Sequence, residues 1–197
     1  MKKSIINRDY PDKKAIIAVH GDVTYSQFLK NMQQFAMLFE SRDFNKVAIY
    51  AENSPAWIYA FYASLQNNCI AVPIDFLASA EDVAYIIDDC QPELLFISNG
   101  MKDSFEKVEK IIAHRPEIKV FEELTFKGDT TENVWSGPEN EDTTAVIIYT
   151  SGTTGSPKGV MLSYTNIIQN MKAVIDCEIF TPDRQVMIFL PLHHVFP

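Results

Sequence analysis

Basic charge is scarce in this chain, and that shortage is the first limit on what it can do. Lys and Arg number 17 against 26 Asp and Glu, giving a formal charge of -9 and a pI near 4.9. A nucleic-acid backbone is gripped by clustered cations that displace its counterions, so nucleic acid is not an expected partner. Cysteine is also sparse: Cys69, Cys90 and Cys177 are far apart and odd in number, and most sit in apolar surroundings. They offer neither a disulfide framework nor a metal-ligand spacing, and a reducing compartment, the cytoplasm, is expected. No apolar run approaches the roughly 18 residues that a membrane span requires. Lys2 and Lys3 could open a signal peptide, but Asn7, Arg8, Asp9 and Asp12 break any apolar stretch behind them. Three fingerprints are missing as well. There is no GxxxxGK[ST] phosphate loop, no GxGxxG dinucleotide turn and no GxSxG nucleophile elbow, which disfavours a Walker-type NTPase, a Rossmann dehydrogenase and a serine hydrolase.

What remains is ample for a packed core: 197 residues, 47% apolar and 12% aromatic. The apolar pattern alternates between strand and helix. Ile16 to Val19 and Val23 flank a hairpin-like turn at His20-Gly21-Asp22. Phe28, Leu29, Met32, Phe35, Ala36 and Phe39 follow a 3.6-residue period behind the potential cap Thr24, which predicts a helix over 25–40. Strand Lys46 to Ala51 precedes a helix with Ser54 as cap and Pro55 in the first turn, running to about Asn67. Strand Cys69 to Pro73, a Ser79-capped helix to about Asp89 and strand Glu93 to Ile97 follow. Asp103 with Glu106 resembles a capping box for a helix carrying Phe105, Val108, Ile111 and Ile112, and a short strand covers Ile118 to Phe121. This alternation predicts an α/β fold with a mainly parallel sheet flanked by helices.

From Lys127 to Thr143 the composition turns to Gly, Pro, Asn, Thr and acid. It reads as a surface connection between a first α/β layer over 1–126 and the start of a second over 144–197. The second part begins with strand Ala145 to Tyr149. It continues through Val160-Met161-Leu162, a helix from about Tyr164 with Ile167, Ile168, Met171, Val174 and Ile175 on one face, and a last strand Gln185 to Leu190.

Between strand 145–149 and Val160 lies TSGTTGSPKG, Thr150 to Gly159. Glycines let a ligand approach the backbone, so a Gly-rich turn leaving a strand can aim several N–H groups into one concavity. The hydroxyls of Thr150, Ser151, Thr153 and Thr154 add donors, Lys158 adds a cation, and nothing in the stretch is acidic. Such a set suits a phosphate. The same residue types are ordinary in turns, so composition alone leaves a plain turn and an anion cradle both open.

The order of the residues narrows this. Tyr149-Thr150-Ser151-Gly152-Thr153-Thr154-Gly155-Ser156-Pro157-Lys158-Gly159-Val160 resembles the phosphate-binding signature of the adenylate-forming (AMP-binding) superfamily, which includes acyl-CoA synthetases, adenylation domains of peptide synthetases and luciferases. Asp22-Val23-Thr24-Tyr25, Leu65 to Asp75, and Leu190-Pro191-Leu192-His193-His194-Val195-Phe196 resemble further segments of that superfamily, in the same order. The resemblance implies the N-terminal part of the large domain of the adenylate-forming fold. It also implies activation of a carboxylate with ATP and Mg²⁺ to an acyl-adenylate plus pyrophosphate, followed by transfer to a thiol.

By position, Thr150, Ser151, Gly152, Thr153, Thr154, Gly155 and Lys158 would embrace the β- and γ-phosphates of ATP. His194 would orient the acid or gate its entry, while His193 stands where many relatives carry Phe or Ser. The Leu-Pro-Leu-His-His-Val-Phe segment looks closer to long-chain acyl-CoA synthetases than to amino-acid-activating domains, so a fatty acid with CoA as acceptor is expected. The alternatives are an acyl-AMP ligase or adenylation domain delivering to a carrier protein, and a non-catalytic nucleotide-binding module. Peripheral membrane contact is compatible with a membrane-derived acid, although no basic amphipathic helix marks it.

Two departures stand out: Asn67-Asn68 where many relatives place a glycine, and Tyr164 where many place a histidine that steadies the loop. The family's adenine, ribose and Mg²⁺ motifs, hinge and lid lysine find no counterpart here. The expectation is therefore an N-terminal fragment, inactive alone.

Overall fold

The computed structural model describes residues 10–19, 21–39, 42–126, 137–138, 140–150, 156–178, 181 and 184–194. A two-stranded hairpin, β1 (Lys14–Ala18) and β2 (Gly21–Thr24), leads into α1 (Tyr25–Ala36). Asp22 pairs with Ile17 inside this ladder and Ala18 with Gly21, so the expected turn at 20–22 sits nearer the exposed Val19, and His20 lies outside the described residues. Thr24 caps α1 through a full capping box: its hydroxyl accepts from Gln27 N–H while the Gln27 side chain accepts from Thr24 N–H. The helical pattern continues as a 3₁₀ turn, Met37–Phe39, and Glu40 is outside the described residues.

The main sheet has six strands in the order β6-β5-β3-β4-β7-β8: β3 (Lys46–Tyr50), β4 (Ile70–Ile74), β5 (Leu94–Ile97), β6 (Glu117–Val120), β7 (Thr144–Thr150) and β8 (Lys158–Ser163). All neighbours are parallel except β7 and β8, so the mainly parallel α/β arrangement read from the alternation is what forms. Both faces are covered, which is why the strands are apolar on successive residues. On one face Val47, Ile49, Leu94 and Phe96 pack under α1 and α2 (Pro55–Gln66). On the other Ala48, Tyr50, Leu95 and Ile97 pack under α3 (Ala80–Cys90) and α4 (Lys102–Glu109).

Ser54 and Ser79 accept from Trp57 and Asp82 N–H at the starts of α2 and α3, as their spacing predicts. The start of α4 differs. Asp103 lies inside its first turn, Met101 is at the cap position with no side-chain bond, and a 3₁₀ turn over Asn99–Met101 feeds it. The chain is already helical before the acidic pair, so no capping box is needed there. Ile111, expected on the apolar face, is 52% exposed because α4 has ended two residues before it.

Two expectations about the second part are corrected. Thr144 opens no separate layer: β7 pairs with β4 through Ala71 and Val146, and β8 closes the edge of the same sheet. Residues 185–190, expected as a last strand, form none. Their apolar run finds no ladder partner among the described residues, and Met187 and Phe189 are 84% and 79% exposed. The surface connection at 127–143 is described only in part, since 127–136 and 139 are outside the described residues.

Candidate functional site

Because β3, β4 and β7 run parallel, the carboxyl ends of all three arrive at one edge of the sheet, the edge on which open α/β sheets bind ligands. From the Ala71–Val146 pair, four further residues bring β4 to Asp75 and β7 to Thr150. The candidate site is built from what departs from this edge.

Thr150 pairs across the antiparallel ladder with Lys158, so residues 151–157 are the connection of a β-hairpin. Both ends of that connection are exposed, and Lys158 makes no ion pair with a described carboxylate. Ser151, Gly152, Thr153, Thr154 and Gly155, the expected heart of the cradle, lie outside the described residues. What the structure does show is how the hairpin is aimed. The Tyr149 hydroxyl donates to Asp89 Oδ2 at 2.5 Å, tying the end of β7 to the end of α3. Burial is the larger cause that pushes the Tyr149 phenol far above its ordinary range, and the neighbouring Asp89 adds to it. Opposite Tyr149 stands Gly159, where a Cβ would lie 3.0 Å from Ile147 Cγ2 and 3.1 Å from Tyr149 Cζ. The glycine after Lys158 lets the Tyr149 ring lie against the partner strand.

Ser163 caps α5 (Tyr164–Asp176) with a second capping box, closed by Asn166. Tyr164, the departure from the family histidine, is 4% exposed, and its hydroxyl donates to the Leu65 carbonyl at 3.0 Å. Its hydroxyl therefore ties the start of α5 to the end of α2. Burial pushes its phenol up to about 12, with a smaller contribution from Cys69.

The other departure resolves as backbone geometry. Asn68 adopts φ 56°, the left-handed conformation in which glycine is favoured and asparagine tolerated. Cys69 N–H bonds Ser64 O at 2.9 Å and Asn68 N–H bonds Leu65 O at 3.1 Å, the paired bonds that close a helix C-terminus.

The His pair reaches the same edge by side-chain anchorage. His194 N–H bonds Pro191 O at 3.1 Å, closing a turn over Pro191–His194. Asn53, just beyond β3, donates from Nδ2 to Leu190 O at 2.9 Å and accepts from Leu192 N–H at 2.8 Å. Leu192 packs against the core under α1 and α2. His193 Nε2 lies 3.5 Å from Asp75 Oδ1, its ring stands edge-on to Phe76, and the His193 and His194 ring centroids are 4.5 Å apart. Burial holds the His193 imidazole below its ordinary value, against the pull of Asp75. His194 is the exposed member of the pair, and its outward ring suits contact with a ligand.

Asn53 and Asp75 carried no assignment in the sequence. Asn53 falls there between the strand ending at Ala51 and the Ser54 cap, and Asp75 only closes the Leu65 to Asp75 segment. No group of three or more His, Cys, Asp or Glu among the described residues could hold a metal, so these residues supply no cage of their own for Mg²⁺. Burial pushes the Cys69 and Cys90 thiols up to about 12, which excludes both as thiolate nucleophiles near neutral pH. No described helix is long and apolar enough to cross a membrane.

The sequence profile of AMP-binding enzymes matches residues 5–197. Among curated proteins, the chain is 30% identical over 180 residues to long-chain-fatty-acid–CoA ligase 5 of Rattus norvegicus, covering 76% of this chain and 26% of that protein. It is also 30% identical over 169 residues to gramicidin S synthase 1 of Brevibacillus brevis, covering 84% and 15%. Among solved structures, the o-succinylbenzoate coenzyme A synthetase of Bacillus subtilis in complex with AMP superposes with a TM-score of 0.78 at 23% identity, over 95% of this chain and 48% of that one. ATP-bound MatB from Rhodopseudomonas palustris gives 0.76 at 22% identity, over 96% and 39%. The chain thus spans less than half the length of each of these proteins.

Proposed function

Starting from a chain that belongs to the AMP-binding enzyme family, we propose that it supplies the ATP-phosphate cradle and the acid-orienting turn of an acid–thiol ligase, with a long-chain fatty acid as the substrate. The observation that carries this reading is the convergence at one sheet edge. The Thr150–Lys158 hairpin leaves the carboxyl end of β7, and the His193–His194 turn is anchored to Asn53 and Asp75, just beyond the carboxyl ends of β3 and β4.

In the proposed reaction a carboxylate oxygen attacks the α-phosphorus of ATP. The bond to the bridging α–β oxygen breaks, and pyrophosphate leaves with the negative charge. Lys158 and the donors from Thr150 to Gly155 hold that leaving group, and fixed donors at a site of developing charge are an efficient form of catalysis. His194 orients the carboxylate, and positioning of this kind removes much of the entropic barrier. A thiol then attacks the acyl carbonyl and AMP leaves. Mg²⁺ would neutralise phosphate charge, held mainly by the phosphates themselves.

CoA is the proposed acceptor. A carrier protein is the second reading, since gramicidin S synthase 1 is as similar to the chain as the fatty-acid ligase is. Cytoplasmic location and occasional contact with a membrane surface belong to the same proposal. We also propose that the 197 residues alone do not turn over, because the longer relatives carry more than half of their length elsewhere.

ATP–pyrophosphate exchange across fatty, aromatic and amino acids tests the reading. Exchange by the full-length protein with fatty acids supports it, its exchange with amino acids alone moves the assignment to carrier-delivering adenylation, and ATP binding without exchange leaves a nucleotide-binding module. Pyrophosphate release at normal turnover by the isolated 197 residues would overturn the claim that they are inactive.

A further inference from the structure

Resting on that reading, we propose that Asn53 is a positioning residue for acid activation: its carboxamide holds the backbone from Leu190 to Leu192 and so fixes the turn that presents His194. Residues 185–190 form no strand, so the approach to the His pair is not held by strand pairing. Among the described residues it is held by Leu192 in the core, His193 against Asp75 and Phe76, and the two hydrogen bonds of Asn53. Among the described residues, Asn53 alone bonds the backbone on both sides of Pro191, a residue with no N–H of its own to pair.

The chemistry selects the side chain. The carboxamide offers one donor and one acceptor in a single plane, matching the Leu190 carbonyl and the Leu192 N–H. Aspartate could accept from Leu192 but would set a carboxylate against the Leu190 carbonyl, and alanine could do neither. Asn53 does not contact the reacting atoms in this proposal and acts only through the turn. Its neighbour Ser54 provides a control, because Ser54 caps α2 through Trp57 N–H and has no described bond to residues 190–194.

The test is ATP–pyrophosphate exchange by the intact protein with a fatty acid, comparing wild type, Asn53→Ala, Asn53→Asp and Ser54→Ala. Two exposed hydrogen bonds are lost in the alanine variant, so its KM for the acid should rise about fivefold, with KM for ATP unchanged. The aspartate variant should shift in the same direction, and Ser54→Ala should change neither KM. The histidine C2-H resonances should report the same loosening without turnover: in Asn53→Ala the His193 and His194 signals move toward free-histidine shifts, while in Ser54→Ala they stay.

An active wild type with an unchanged acid KM in Asn53→Ala overturns the inference and leaves the ligase reading standing. Equal rises in both KM values, or the same resonance shifts in Ser54→Ala, also overturn it, since they mark a purely structural role. If Asn53→Ala does not fold, Asn53→Asp decides by the same criteria. A wild type that catalyses no exchange with any acid removes the ligase reading, and this inference with it.

Discussion

Lys158 ends up opposite Thr150 with its side chain toward solvent, and no described carboxylate competes for its charge. That is the arrangement an anion would need, and it makes the lysine easy to interrogate. Lys158→Ala should raise KM for ATP about tenfold, the effect of one charge-assisted contact, while melting shifts little because the side chain is exposed. An unchanged KM would remove the lysine from the cradle. His193 makes a different kind of prediction. Burial, the largest cause, lowers its pKa from the ordinary 6.5; Asp75 opposes this and His194 reinforces it. In the unfolded chain the ring gains a proton near pH 6.5, in the folded chain only at lower pH, so falling pH favours unfolding. The contribution is fully present above that value and is lost as pH drops through it toward the folded pKa. His193→Gln should flatten the dependence of Tm on pH as pH falls below the ordinary 6.5, and curves that stay parallel to wild type would contradict the burial argument. At this scale the sequence was legible where a side chain acts through its neighbours along the chain, as Thr24, Ser54 and Ser79 do. It was silent on Asn53, whose partners lie 137 and 139 residues away.

Among elements, helix starts and the paired strands of the core were readable because caps and burial are both encoded locally, and two failures show the limit. A capping pattern at Asp103 was overridden by a chain already turning at Asn99–Met101. A mainly apolar run at 185–190 found no ladder among the described residues, because a strand needs a neighbour that its own sequence does not specify. The junction of α2 and β4 shows the opposite, a sequence departure that local physics absorbs. Asn68 stands at φ 56° and keeps both closing hydrogen bonds of the helix end. Replacing it by alanine puts an ordinary side chain into a left-handed backbone and should cost about 1 kcal/mol, whereas glycine should be neutral or slightly stabilising. Thermal melts of Asn68→Ala and Asn68→Gly check this, and equal melting of the two would show that the backbone relaxes out of that region. The same melts report on β4, because Cys69 N–H bonds Ser64 O immediately before that strand begins.

At the scale of the molecule, the sequence located the doubly covered sheet but misplaced the boundary within it, since apolar alternation records burial and does not record which strands are neighbours. β7 reads the same whether it opens a new layer or extends the old one; its pairing with β4 decides the matter. One property of the whole chain follows from the structure alone. β3, β4 and β5 are buried on two faces, whereas Met161, Ile175, Met187 and Phe189 are between 59% and 84% exposed. Exposed apolar side chains favour association, and the charge of -9 opposes it by mutual repulsion. Salt screens that repulsion over about 10 Å at 0.1 M, so the 197-residue chain should bind a hydrophobic dye and associate more readily as ionic strength rises. Met187→Lys combined with Phe189→Lys should reduce dye binding and shift the onset of association to higher salt. Tm should stay within a degree or two, about the effect of surface changes that remove no buried contact. Dye fluorescence and sedimentation at stepped salt measure both. A fall in Tm of many degrees would mean that these side chains are packed in solution, and an unchanged dye signal would mean that the sticky surface lies elsewhere.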